Sequence, residues 1–337
     1  MNRGDRTAID DAAAPAPGGG GTLAPIESDG GDGLHRPSGR AGLGLSLTLT
    51  TVVLWGMLPI GLKVALSGMG AFTLTWYRFV AAAIILGAIL FARGARPPLS
   101  GLDRRGWLLL ALATACLATN YVLYVVGLDR TNASTAQVVI QIAPVLLAVG
   151  GIWVFRERFG AIQWMGLGVM VTGLVVFSRD QIAGLLSDLD VYYSGVACIT
   201  AAAISWSVYG LAQKQLLGHM SSPSVMLCIY IGGAVLFFPT AEPAQIASLT
   251  GPQLAALAFC VANMLIAYGT FAEALAHWEA SRVSAVLAIV PLVTLSLVTL
   301  TEAVMPTLLS PEPITVTGVV GACMVVTGSL MTALARS

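Results

Sequence analysis

The sequence predicts an all-α integral membrane protein, with ten transmembrane helices arranged as two inverted five-helix repeats. Three observations carry this reading. Apolar residues make up 56% of the 337-residue chain and charged residues only 10%, against about 25% in a soluble protein. Apolar runs of about 20 residues, enough to cross a hydrocarbon core as a helix, recur from residue 43 onward. The two halves of the chain also match each other at fixed offsets.

Residues 1–42 come first. They are rich in Gly, Pro and Ala, hold GGGG at 18–21 and contain no aromatic residue. Such a segment buries too little apolar surface to offset its ordering entropy, so it reads as a disordered cytoplasmic tail. No apolar stretch follows its basic start, which excludes a signal peptide. Asp5, Asp10, Asp11, Glu27, Asp29 and Asp32 argue against a transit peptide.

Ten spans follow, at 45–67, 72–92, 107–127, 134–154, 161–178, 192–213, 222–239, 252–274, 283–301 and 315–334. They are continuously apolar rather than alternating, which excludes a membrane β-barrel. Arg93, Arg96, Arg104 and Arg105 cluster in one link, Arg156 and Arg158 in another, and Arg36 and Arg40 in the tail. The opposite loops offer Arg130 and Arg179, so the positive-inside rule places both termini in the cytoplasm, at the cytoplasmic membrane. Zero net charge argues against a nucleic-acid partner. The five cysteines lie in apolar runs, and with three histidines and no metal-ligand spacing the chain suggests neither a disulfide framework nor a metal site. The partners implied are the lipid bilayer and a small-molecule substrate; the oligomeric state is left open, and no cofactor is implied.

The repeat has specific anchors. Eight residues separate Trp55 from Lys63, and eight separate Trp206 from Lys214. ASTAQVVIQIAP (133–144) aligns without a gap on ASRVSAVLAIVP (280–291), and MVTG (170–173) on VVTG (325–328). Tyr121 pairs with Tyr268, and Tyr124 with Phe271. The halves, 43–182 and 191–335, each hold five spans. An odd number forces the second half to enter the membrane from the opposite side, an architecture that recurs in secondary transporters with a site near the midplane.

LWGMLPIGLK (54–63), WYRF (76–79), NASTAQVVIQIAP (132–144), FRERFGAIQWMGLGVMVTG (155–173), WSVYGLAQK (206–214) and EPITVTGVVGACMVVTG (312–328) follow in this order. Through them the chain resembles the EamA-type branch of the drug/metabolite transporter superfamily over nearly everything after residue 43. The resemblance implies a ten-helix carrier of small metabolites, often an exporter of amino acids or related compounds. Two departures stand out: Arg156 occupies the place before Glu157 where the family usually has Gly, and eight residues are inserted around 303–311.

The candidate substrate pathway consists of polar, aromatic and proline residues inside the spans. Pro59, Pro144 and Pro291 each leave backbone carbonyls unpaired, and the last two are repeat-equivalent, as expected of paired breaks beside a cavity. Gln137, Gln141 and Pro144 form one helical stripe, Asn120, Tyr124 and Gly127 another, and Trp55, Pro59 and Lys63 a third. Trp55 and Trp206 lie too deep for an interfacial belt. With Tyr121, Tyr209, Tyr268 and Phe271 they offer a flat apolar wall for an amphiphilic ligand. The alternative for each amide is hydrogen bonding between helices. Lys63 and Arg78 together are placed either to attract an anionic group such as a carboxylate or to snorkel to the interface, and Lys214 reads as snorkelling. Glu273 and Glu302 are the candidate coupling carboxylates, although both lie toward helix ends.

The function these features favour is secondary transport of a small metabolite by alternating access, with export of an amino acid or related compound ahead of broad efflux of hydrophobic compounds. An enzyme acting on lipid-linked groups is a weaker alternative. The cytoplasmic links hold little beyond Asp103 with Arg104 and Arg105, Arg156–Glu157–Arg158, and His277 with Glu279 and Arg282.

Overall fold

A computed structural model describes residues 38–95, 97–156, 159–183, 189–304 and 315–334. Residues 1–37 of the tail and 305–311 of the insertion lie outside the described residues, as do Glu157 and Arg158. Among the described residues, regular structure consists of helices alone. They are α1 (Ala41–Leu66), α2 (Ala71–Ala92), α3 (Arg104–Arg130), α4 (Ala133–Val139), α5 (Ile142–Phe155), α6 (Ala161–Ala183), α7 (Leu189–Leu216), α8 (Ser222–Phe237), α9 (Gly251–His277), α10 (Ala280–Leu287), α11 (Val290–Val304) and α12 (Val316–Leu334). Counting α4–α5 and α10–α11 each as one interrupted crossing, eight described stretches are long and apolar enough to span a membrane, and Ala161–Phe177 and Val316–Thr332 are shorter apolar helices. The molecule is a multi-pass membrane protein. Its outer faces carry exposed large apolar side chains such as Phe91, Trp153 and Val316, as a surface meeting lipid requires.

The prolines explain the two interruptions. A proline lacks the N–H that would bond the carbonyl four residues back, and its ring crowds that carbonyl. Pro144 points this defect at Ile140, where α4 gives way to α5; the Ile140 carbonyl instead accepts the N–H of Ala143 at 2.8 Å. Pro291 does the same beyond Leu287, and α10 ends there. Pro59 acts differently, because α1 runs through it unbroken. The Trp55 carbonyl that it deprives of a partner accepts Gln137 Nε2 at 3.0 Å. The neighbouring carbonyls of that turn also receive side chains from other helices. Asn263 Nδ2 of α9 donates to Leu54 O, and Thr294 Oγ1 of α11 donates to Gly56 O at 2.9 Å. In a medium without water this cross-bracing satisfies the Trp55 carbonyl that the proline leaves open and adds a second donor to its neighbours.

Small residues let the helices pair closely. In α1 and α9, Thr51 Oγ1 lies 2.8 Å from Thr270 Oγ1, and Gly61 packs on the Phe259 ring, so the two run antiparallel. In α3 and α7, Asn120 Nδ2 donates to Ala202 O at 3.0 Å and Gly127 meets Ile199 and Gly195, again antiparallel. Phe79 of α2 lies on Gly233 of α8. Between α6 and α12 the contact is backbone to backbone: Gly166 faces Gly328, and Gly173 faces Gly321. A Cβ at Gly173 would sit 2.7 Å from Val325 N and 2.8 Å from Gly321 O, distances no side chain tolerates.

The N-terminal edge is tied down earlier than the 1–42 tail implies. Ser38 N donates to Ala276 O at 3.1 Å, Ser38 Oγ lies 2.7 Å from His277 Nδ1, and α1 begins at Ala41. At the end of α5, Arg156 adopts the left-handed conformation (φ 53°). A side chain with a Cβ in this conformation costs about 1–2 kcal/mol.

Candidate transport site

Between α1, α2, α3, α4–α5, α7, α9 and α10–α11 lies a cavity. Ten of the fifteen residues predicted for a pathway line it. Trp55, Arg78, Asn120, Tyr121 and Tyr124 come from the first three helices, with Gln137, Gln141 and Pro144 from the interrupted fourth crossing. Trp206 and Tyr268 come from the second half. The remaining lining, Leu58, Ile140, Ala143, Leu287 and Val290, is apolar.

The aromatic wall is a connected set of edge and tilted contacts. Trp55 meets Trp206 at 5.5 Å between centroids and Tyr268 at 5.1 Å, while Tyr121 meets Tyr268 at 5.2 Å. Each of the contacts Trp55–Trp206 and Tyr121–Tyr268 joins residues whose positions align between the two halves of the sequence. Phe271 and Tyr209 are outside the cavity, as a second row: Phe271 packs on Trp206 at 4.9 Å and on Trp55 at 5.5 Å, and Tyr209 lies 6.3 Å from Tyr268. Such contacts favour these ring orientations, since offset and edge geometries are preferred over a face-to-face sandwich.

Polar groups on the wall differ in their commitments. Asn120 and Gln137 each donate one amide N–H, to Ala202 O and Trp55 O, so part of their role is holding helices together. Gln141 sits at the break before α5, with Oε1 buried and without a hydrogen-bond partner, and Trp55 Nε1 is in the same condition. Arg78 is 1% exposed; its guanidinium carbon lies 4.5 Å above the Tyr121 ring, and Nε and Nη2 have no hydrogen-bond partner.

Several predicted residues lie elsewhere. Lys63 does not join Arg78: its Nζ donates to Thr131 O at 3.1 Å, at the end of α3. Pro59 and Pro291 shape the helices behind the wall without lining it. Lys214 does not snorkel outward; it is 1% exposed, with Nζ 4.7 Å over the Phe155 ring. Glu273 lies near the end of α9 with Oε1 3.2 Å from His277 Nε2, and Glu302 lies in the last turn of α11. Neither carboxylate lines the cavity. The apolar liners had no signal in the sequence, because Leu and Val facing a cavity look like Leu and Val facing lipid.

The EamA-like transporter family model matches the chain twice, over residues 42–179 and 193–334. The chain belongs to the EamA-like transporter family. Among relatives in this family, the uncharacterized inner membrane transporter YhbE of Escherichia coli (strain K12) is 37% identical over 296 residues, covering 88% of this chain and 92% of that one. An uncharacterized transporter of Haemophilus influenzae is 34% identical, covering 87% and 95%. A protein of Escherichia coli (strain K12) named a probable amino-acid metabolite efflux pump is 26% identical, covering 84% and 92%. A solved crystal structure shares the fold at a TM-score of 0.67 with 19% identity, covering 88% of this chain and 97% of that one. The protein is therefore a membrane transporter of the EamA type.

Proposed function

We propose that this protein is a secondary carrier that exports a small metabolite, an amino acid or a related compound, across the cytoplasmic membrane by alternating access. In this reading the chain crosses the membrane ten times. The halves 43–182 and 191–335 are inverted repeats, and both termini face the cytoplasm. The observation that carries the reading is the cavity where the halves meet, walled by repeat-equivalent rings in direct contact. A site at a repeat interface is one that rocking of the halves exposes to each side in turn.

The α6–α12 pairing supports inversion. Aligning MVTG on VVTG makes Gly173 equivalent to Gly328, and Gly166 to Gly321. Exchanging the halves then turns the Gly166–Gly328 contact into the Gly321–Gly173 contact. Such an exchange, with the helices antiparallel, is what a two-fold axis in the membrane plane produces. Support for the cargo is the wall of rings with a few polar groups, together with relatives from Escherichia coli and Salmonella typhimurium named probable amino-acid metabolite efflux pumps at 26% and 27% identity. Broad efflux of hydrophobic compounds is the second reading, favoured by the apolar share of the lining.

The test compares metabolites in the medium of cells with and without the overproduced protein. One chemical class is expected to accumulate outside. The variant combining Trp55→Ala with Gln141→Ala is expected to lower its export about tenfold or more at equal amounts of folded protein. Undiminished export would place the site elsewhere.

A further inference from the structure

We propose that the cavity is a site for an organic monoanion, in which the Arg78 guanidinium receives a single carboxylate and the aromatic wall holds the cargo's apolar body. The proposal rests on reading the cavity as the transport site and adds the charge class of what it carries.

None of the hydrogen bonds or ion pairs among the described residues involves Arg78, although it is 1% exposed. A guanidinium buried without a counter-ion is a costly arrangement, and the face of Tyr121 offsets only part of the cost. An anion arriving with the cargo removes that cost, and the planar fork matches a carboxylate in geometry.

The remaining lining sets the sign and the magnitude of the charge. Arg78 is the one charged residue among the cavity's lining residues, and no carboxylate shares the wall. A monocation meets only repulsion there. A phosphate dianion leaves one charge uncompensated in a low-dielectric space. Lys63, the other cation predicted for the pathway, is engaged at Thr131 O. Two further buried orphans belong to lining residues, the donor Trp55 Nε1 and the acceptor Gln141 Oε1. A hydroxyl or amide beside the carboxylate answers both. The complementary chemistry is that of a 2-hydroxy acid, an N-acyl amino acid or an amino acid with an apolar side chain.

The experiment uses the full chain in lipid nanodiscs and a matched panel on leucine, methionine and phenylalanine bodies. Each body is supplied as the N-acetyl acid (monoanion), the free amino acid (zwitterion) and the amide (cation), with isobutyl phosphate as a dianion. Ligand-induced rise in the thermal midpoint reports binding. The N-acetyl acids are expected to bind best, free amino acids less well, and amides and phosphate not at all. Arg78→Gln is expected to raise the half-effect concentration about tenfold or more, with Arg78→Lys between. Arg78→Met serves as the folding control: without ligand it is expected to be at least as heat-stable as the native chain, since the unpaired charge is gone, yet blind to the panel.

Amides binding as well as acids, no member binding, or Arg78→Gln binding like the native chain would overturn the proposal. So would a lower ligand-free midpoint for Arg78→Met, which would make Arg78 a packing residue. The transport reading fails separately. If acids bind through Arg78 but no metabolite is exported by cells, the anion site stands and export falls; if export persists while amides bind equally, the reverse holds.

Discussion

At the residue scale, Pro59 and Gln137 show how a backbone defect recruits a side chain from another helix. Removing one N–H from α1 leaves the Trp55 carbonyl for Gln137 Nε2, at 3.0 Å. Replacing Gln137 by Leu is expected to cost about 1 kcal/mol, read by thermal unfolding in detergent. In a Pro59→Ala background, where the helix itself supplies the missing N–H, the same substitution is expected to cost much less. Equal costs in the two backgrounds would show that the hydrogen bond is independent of the proline. Both residues stood out in the sequence as polar or helix-breaking positions within apolar runs. Which of them faces a ligand and which braces a neighbour was not legible, because the partner of an amide is chosen by a helix distant in sequence.

At the scale of elements, the glycines of α6 behave in opposite ways according to what they face. Gly173 abuts the backbone of α12, whereas Gly168 has open space around the position of a Cβ. Gly168→Ala is expected to stabilise by about 0.5–1 kcal/mol through helix propensity. Gly173→Ala is expected to destabilise by about 1–3 kcal/mol by forcing the two helices apart. Comparing the two midpoints checks this, and a gain at both positions would mean that the α6–α12 contact is loose. The interrupted crossings belong to this scale as well. Pro144 and Pro291 announce a defect in sequence, but the break falls three or so residues earlier, because a proline disturbs the turn before it.

At the scale of the whole molecule, the absence of acidic groups from the cavity wall bears on energetics. Moving one charge across the membrane potential is worth about 2.3 kcal/mol per 100 mV. An inside-negative potential therefore favours outward movement of a monoanion without a coupling carboxylate at the site, and neither Glu273 nor Glu302 lines the cavity. Efflux of an N-acetyl amino acid from proteoliposomes is expected to rise when valinomycin and a potassium gradient set the interior negative, and to fall when the sign is reversed. Flux indifferent to potential but responsive to a pH gradient would point to proton exchange instead.

The sequence by itself determined the membrane class, the helical runs, the duplicated anchors and the pool of polar and aromatic side chains from which the wall is drawn. Those follow from composition and periodicity, which are local and survive without knowledge of neighbours. Only the tertiary structure decided that Arg78 stands at the cavity without Lys63, that Lys214 is buried beside Phe155, and that Leu58, Ile140, Leu287 and Val290 complete the lining. In a chain surrounded by lipid, both the inner and the outer faces of a helix are apolar. The direction a side chain points is therefore set by which backbones can approach closely, and that is fixed by glycine contacts and broken helices far apart in sequence.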